Sequence, residues 1–261
     1  MTLFAGDVPA TYDRYMGPIF FEPYAVDLAA RLPRAPELRV LELACGTGIV
    51  TRHLRGHRLL ATDLNPPMIE RAAAKLPDVE FRQADAMHLP FDDASFDAIV
   101  CQFGVMFFPD KRAAFGEAHR VLGPGGMFVF SVWGSLDDNQ LTKVAGDTVA
   151  GFFPENPTDF YDTPFGDYDR EEIAAALASA GFADTKIETV AKPSGEAPAH
   201  DAAVALVAGT PIVGQILARG GDVARIVDEV AKAIRERFGE PVRSTMTALV
   251  CTAAKRAPAR R

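Results

Sequence analysis

The chain has 261 residues, 48% hydrophobic and 24% charged, a balance that supports a buried core and needs neither disorder nor a disulfide-stapled scaffold. Lys and Arg total 27 against 35 Asp and Glu, and the net charge of −8 repels phosphate backbones and anionic lipid, which sets aside nucleic acid and a stable membrane association. Three widely spaced cysteines, Cys45, Cys101 and Cys251, form no metal or redox motif and fit a reducing compartment. No apolar run reaches the length of a membrane span, and the first residues lack a basic region followed by an apolar one, so a cytoplasmic location is expected.

In chain order, residues 11–32 form an aromatic-rich stretch with helical spacing that ends at Pro33. Short apolar runs at 40–44, 59–62, 79–81, 96–101 and 127–132 predict strands covered on both faces. Helical patterns lie between them at 67–75 and 111–122, the second stopped by Gly123-Pro124-Gly125-Gly126, which reads as a turn before the fifth strand. This alternation implies right-handed crossovers and a mostly parallel sheet. Beyond it, residues 136–168 read as an irregular cover and 169–180 as a helix with an acidic first turn. Two further strands are expected at 185–191 and 244–252, with a helical insert at 201–238 between them. The basic end, Lys255 and Arg256 with Arg260 and Arg261, reads as a solvated tail.

The sharpest local signal is Leu41-Glu-Leu-Ala-Cys-Gly-Thr-Gly48, where small residues let the backbone turn tightly between a strand and an expected helix. Alone it fits several nucleotide folds, or simply a tight turn. Glu42, Asp63 and Asp85 then fall at the ends of successive strands, one βα unit apart, so all three carboxylates should emerge on one sheet edge. An acidic rim of this kind suits a positively charged nucleoside, with Asp63 placed for two ribose hydroxyls. No lysine follows the glycines, which excludes a P-loop.

These residues make the chain similar to class I S-adenosylmethionine-dependent methyltransferases, in the branch of ubiquinone- and menaquinone-biosynthesis-type and other small-molecule enzymes. The resemblance rests on Val40 to Gly48, Ala61-Thr-Asp-Leu-Asn65 with Met68, and Ala84-Asp-Ala-Met-His-Leu-Pro-Phe91. Ser95-Phe-Asp-Ala-Ile-Val100 and Glu117-Ala-His-Arg-Val-Leu-Gly-Pro-Gly-Gly126 extend it. It implies an α/β, Rossmann-like three-layer sandwich whose seven-stranded, mostly parallel sheet has the order 3-2-1-4-5-7-6, the last strand antiparallel. A single domain is expected: an N-terminal helical cover (1–36), a cofactor core (37–135), the irregular cover (136–168), and a C-terminal part (169–261).

The resemblance also implies roles. Glu42 and the backbone at Ala44, Cys45 and Gly46 would hold the methionine part of S-adenosylmethionine, and S-adenosylhomocysteine would be the product. Asp63 would hold the ribose, Leu64 and Met68 would flank the adenine, and Asp85, Ala86 and Met87 would read its edge. Cys101, Gln102 and Phe103 would line the site beside the methyl group, and Tyr12 or Tyr15 would close over the cofactor. Ala44 departs from the glycine of the family's broader pattern and is expected to keep a negative φ. Leu64, Met68 and Met87 fit a plain core equally well, and only the resemblance separates the two readings.

Methyl transfer is an in-line displacement, so the protein chiefly positions donor and acceptor; none of the five histidines is assigned as a base, and the catalytic residue is unknown. Aromatic residues in the covers, Phe4, Tyr12, Tyr15 and Phe160 among them, suit a small apolar or aromatic acceptor methylated on O, N or C, although most such rings simply pack. No metal site is expected, and the protein should act as a monomer or homodimer. Two rivals share these features: a non-catalytic S-adenosylmethionine-binding regulator, and a nicotinamide-dependent oxidoreductase, whose usual third glycine is replaced here by Thr51.

Overall fold

A computed structural model describes residues 8–35, 37–166 and 169–257. The chain begins with α1 (Val8–Thr11), a π-helical run Tyr12–Phe21 and α2 (Glu22–Ala30). There follow β1 (Arg39–Glu42), β2 (Arg58–Asp63), α3 (Pro66–Lys75), β3 (Glu80–Gln83), β4 (Phe96–Gln102), α4 (Lys111–Val121) and β5 (Leu122–Trp133). The remainder is α5 (Gln140–Gly151), α6 (Arg170–Ser179), β6 (Phe182–Pro193), α7 (Ala199–Val207), α8 (Ile212–Ala218), α9 (Val223–Phe238) and β7 (Thr245–Lys255). Phe4, Arg260 and Arg261 lie outside the described residues. The chain divides into two compact units, one drawn from residues 8–24, 134–166 and 191–247, the other from 25–133, 169–190 and 248–257.

The second unit holds the sheet, in the order β3-β2-β1-β4-β5-β7-β6. Strands β1 to β5 pair in parallel and β7 runs antiparallel to β5, as expected. Central strands are covered on both faces: Val40, Leu41, Ile99, Val100, Phe128 and Phe130 are fully buried. Phe115 of α4 packs against Phe128 and Phe130 at ring distances of 5.8 and 5.4 Å. Truncating such a ring costs about 3–5 kcal/mol, whereas a half-exposed ion pair such as Arg39–Asp97 is worth about 1 kcal/mol or less, so the core holds the sheet. Edge strand β3 differs from the expectation of strands covered on both faces, since it is largely exposed; β6, at the other edge, alternates between covered and exposed positions.

Four local readings are corrected. The chain after Gly48 forms only a 3₁₀ turn, Thr51–His53, in place of the expected crossover helix. Gly123 to Gly126 are not a turn preceding the fifth strand but a bulge within it: Phe96 pairs with Leu122 and Ala98 already with Met127. The cover at 136–168 is not wholly irregular, since it contains α5. Lys255 is no solvated tail residue; its Nζ donates to the carbonyls of His119 (2.8 Å) and Leu122 (2.6 Å), neutralising the C-terminal end of α4. Asp110 at the other end of α4 accepts from the Ala113 amide at 2.9 Å.

The first unit is helical. Small residues on α7 (Ala199, Ala202, Ala203, Ala205) are buried, as are Ile226, Val230 and Ile234 of α9, against which α7 packs. Tyr161 is buried with its hydroxyl donating to the Leu206 carbonyl (2.8 Å), and Tyr24 likewise donates to Met246 (2.8 Å), so each ring keeps its polar tip satisfied. The stretch predicted as one helix at 11–32 starts earlier, at Val8, and ends at Ala30; its middle is π-helical and contains Pro18. Among the described residues no single helix is long and apolar enough to cross a membrane.

Candidate functional site

The site lies at the carboxyl ends of β1, β2 and β4 in the sheet unit, where a parallel sheet leaves its loops free to meet a ligand. Glu42 ends β1 and is 1% exposed. Its Oε2 has no hydrogen-bond partner. Burial pushes its carboxyl up to about 8; the hydroxyl and amide of Thr51 oppose this, and the charge of Asp63 adds to it. A buried carboxyl with an idle oxygen is costly unless something polar reaches it.

Asp63 ends β2 and is the hinge of the site. One carboxylate oxygen accepts from the Gly46 amide (2.8 Å), the other from the Asn65 amide (2.8 Å), so a single side chain ties the loop after β1 to the loop after β2. Burial raises its pKa, and the amides of Asn65, Gly46 and Leu64 pull it back. The Cys45 amide donates to the Thr62 carbonyl (2.9 Å), and the Thr62 hydroxyl to the Glu42 carbonyl (2.7 Å), completing the stitch.

The turn itself is strained. Gly46 has φ +54°, as a glycine can, but Ala44 has φ +51°, contrary to the negative value expected. Left-handed backbone at alanine costs roughly 1 kcal/mol. Phe103, just past β4, also has φ +51°. The two strained residues flank Gly104, where a Cβ would lie 2.5 Å from the Ala44 Cβ and 2.8 Å from the Cys101 Sγ. Only glycine fits there, and strain of this kind collects where surrounding structure holds a site in shape.

Other expected residues fall into place unevenly. Leu64 is 63% exposed, unusual for a leucine, beside Asp63, while Met68 is buried. Asp85 accepts from the Met87 amide (2.9 Å) and faces the His88 ring at 3.5 Å, with Ala86 and Met87 half-covered. Gln102 is partly exposed at the end of β4, and Phe103 stacks face to face on Trp133 at 3.8 Å, an apolar wall beside the edge. The Cys45 and Cys101 thiols are buried, the first pushed well up and the second up to about 12 by burial, so neither is a nucleophile. Tyr12 and Tyr15 belong to the helical unit, where Tyr12 stacks on Phe21 (5.1 Å) and Arg14 lies over the Tyr15 ring (5.1 Å). Among the described residues no group of His, Cys, Asp and Glu is arranged for a metal. Sequence reading missed the place of Thr51 beside Glu42 and the packing of Gly104, both of which arise from tertiary contacts, whereas Trp133 was among the aromatic residues expected to line an acceptor pocket.

Residues 41–130 match the family model described as a methyltransferase domain. A demethylmenaquinone methyltransferase of Thermus thermophilus is 43% identical over 113 residues, covering 40% of this chain and 50% of that protein. A ubiquinone/menaquinone biosynthesis C-methyltransferase of Shewanella frigidimarina is 38% identical over 136 residues, covering 48% and 53%. The chain thus spans about half the length of these curated relatives. The crystal structure of a Haemonchus contortus phosphoethanolamine N-methyltransferase in complex with S-adenosyl-L-methionine shares the fold, with a TM-score of 0.61 at 18% identity, covering 95% of this chain and 56% of that one. Sheet order and matched segment agree: residues 41–130 match a methyltransferase-domain model, and the sheet that contains them has the Rossmann-like order β3-β2-β1-β4-β5-β7-β6.

Proposed function

We propose that the protein transfers a methyl group from S-adenosylmethionine to a small, apolar or aromatic acceptor. The observation that carries this reading is Glu42, a fully buried carboxyl whose Oε2 has no partner, set beside the Gly46 turn that Asp63 anchors. Such a donor set fits a cationic nucleoside amino acid. Glu42 and the backbone at Ala44, Cys45 and Gly46 would hold the methionine portion, with its positive charge favouring the ionised carboxylate. Asp63 keeps lone pairs beyond its two amide bonds for ribose hydroxyls. Exposed Leu64 and buried Met68 would flank the adenine, and Asp85 with Ala86 and Met87 would read its edge.

The cofactor, when bound, supplies an electrophilic methyl on a sulfonium leaving group. The chain's own task is then to position and to exclude water. Cys101, Gln102 and Phe103 would line the methyl side, where the Phe103–Trp133 stack offers an apolar surface for the acceptor. The names of the demethylmenaquinone relatives support an acceptor bearing an apolar ring. Glu42 is no general base in this scheme, since its charge is committed to the cofactor.

The test is to incubate the protein with methyl-labelled S-adenosylmethionine and a panel of phenols, quinols and amines. Label appearing in an apolar ring acceptor is the expected result. Saturable cofactor binding with label in no acceptor would point instead to a cofactor-binding regulator, and the enzymatic reading would fall.

A further inference from the structure

The loop after β3, residues 85–93, is held from behind by one ion pair on α4. Arg120 has five N–H donors, and every one is used. Nε donates to Glu117 Oε1 (2.7 Å), and Nη2 to Glu117 Oε2 (2.8 Å) and to the Leu89 carbonyl (2.9 Å). Nη1 donates to the Phe91 carbonyl (2.7 Å) and to Asp93 Oδ1 (2.8 Å). Glu117 Oε2 in turn accepts from the Leu89 amide (2.8 Å). The guanidinium beside Glu117 holds that carboxyl below its ordinary range.

An exposed ion pair alone would mean little for stability. This one is different because it fixes main-chain atoms of a loop that has no helix or strand between Asp85 and β4, only turns and the Asp85–His88 bridge. The Leu89 amide and carbonyl are both held, four residues past Asp85. Asp85 itself is tied to its loop through the Met87 amide. The chain of contacts therefore runs from the side chains of α4, through the loop backbone, to the Asp85 carboxylate.

We infer that Arg120 and Glu117 are positioning residues for ligand recognition: by pinning the 85–93 loop they present Asp85 in one orientation to the amino edge of an adenine ring. This rests on the proposed cofactor. A lysine cannot reproduce the five-bond fork, so Arg120→Lys keeps the charge and loses the geometry. Asp85 then samples several orientations, and its preference for an amino donor fades. Loss of one charge-assisted hydrogen bond corresponds to roughly a tenfold change in affinity.

The experiment is calorimetric titration of the wild type, Arg120→Lys and Glu117→Gln with S-adenosylhomocysteine and with S-inosylhomocysteine, whose ring carries an oxo group in place of the amino group. The wild type should favour the adenosyl compound by roughly tenfold, and in Arg120→Lys that ratio should collapse toward one. A purely structural role would weaken both compounds equally and leave the ratio unchanged, which overturns the inference while the cofactor reading stands. If Arg120→Lys does not fold, Glu117→Gln is read by the same ratio. A wild type that binds both compounds equally removes Asp85 as the reader and the inference with it. A wild type that binds neither overturns the cofactor reading itself.

Discussion

The two halves of the candidate site are built in opposite ways. Around β1 and β2 the groups are buried and under tension: Glu42 is enclosed with an idle oxygen, Asp63 is shared between two loops, and Ala44 is held in a left-handed conformation. Around the loop after β3 they are exposed and relaxed: Asp85 is partly open, His88 is mostly in solvent, and rigidity comes from Arg120 behind the loop. The contrast separates two tasks. Buried charge supplies affinity for a cation, because a low-dielectric setting strengthens the attraction, while an exposed edge supplies discrimination through shape and orientation.

The sharpest way to break this contrast is at Asp63. Removing its carboxylate in Asp63→Ala leaves the Gly46 and Asn65 amides without their acceptor, each worth about 1–3 kcal/mol if buried, so thermal stability should fall together with cofactor affinity. Two main-chain bonds to the carboxylate tie the two effects together. Unchanged melting in Asp63→Ala would remove the anchor role.

Next in size is Glu42→Gln, which keeps the shape and removes the charge. Affinity for S-adenosylmethionine should fall roughly 10- to 100-fold by calorimetry, the scale of a hydrogen bond to a charged group. Equal affinity would show that the buried carboxyl does not meet the ligand.

The same residue gives a pH signature. Its folded pKa of about 8 lies above the ordinary 4.5, so the folded protein holds an extra proton between those values. Glu42 therefore contributes stability that is complete below pH 4.5 and is lost as pH rises through about 8. Comparing melting of the wild type and Glu42→Gln across this range isolates the effect: the wild type should lose stability relative to the variant as pH rises. A constant difference would contradict the burial argument.

The smallest effect tests strain. Ala44→Gly removes the left-handed penalty of roughly 1 kcal/mol but adds chain entropy to the unfolded state, so a gain of about 0.5 kcal/mol is expected in denaturant titration. A loss would mean that the Ala44 methyl, packed near Gly104, contributes more than its backbone costs.

Legibility in the sequence followed the same division. Strands β1, β2, β4 and β5 were readable because buried parallel strands are continuous apolar runs, and the carboxylates at their ends fell into register with them. Helix α5 was hidden: Gln140 to Gly151 includes Gly146, Gly151 and β-branched residues, weak helix formers, and its order comes from packing, with Gly146 lying against the Tyr161 ring. The absence of a crossover helix after Gly48 and the left-handed Ala44 lie beside a turn whose Gly46 amide bonds to Asp63, seventeen residues further on, a contact that local sequence pattern does not display. Glu117 and Arg120 stood in the sequence only as part of a helical motif; the hold of Arg120 on Leu89 and Phe91 joins segments far apart in the chain.

The most direct measurement is titration of the wild type with S-adenosylmethionine near neutral pH in buffers of different ionisation enthalpy, with NAD(H) as a parallel arm. A cation drawn to Glu42 should drive its carboxyl to ionise, so the expected result is saturable binding with net proton release, the release vanishing in Glu42→Gln, and no binding of NAD(H). Binding without proton release, or preference for NAD(H), would contradict the assignment of the buried carboxyl to a cationic nucleoside.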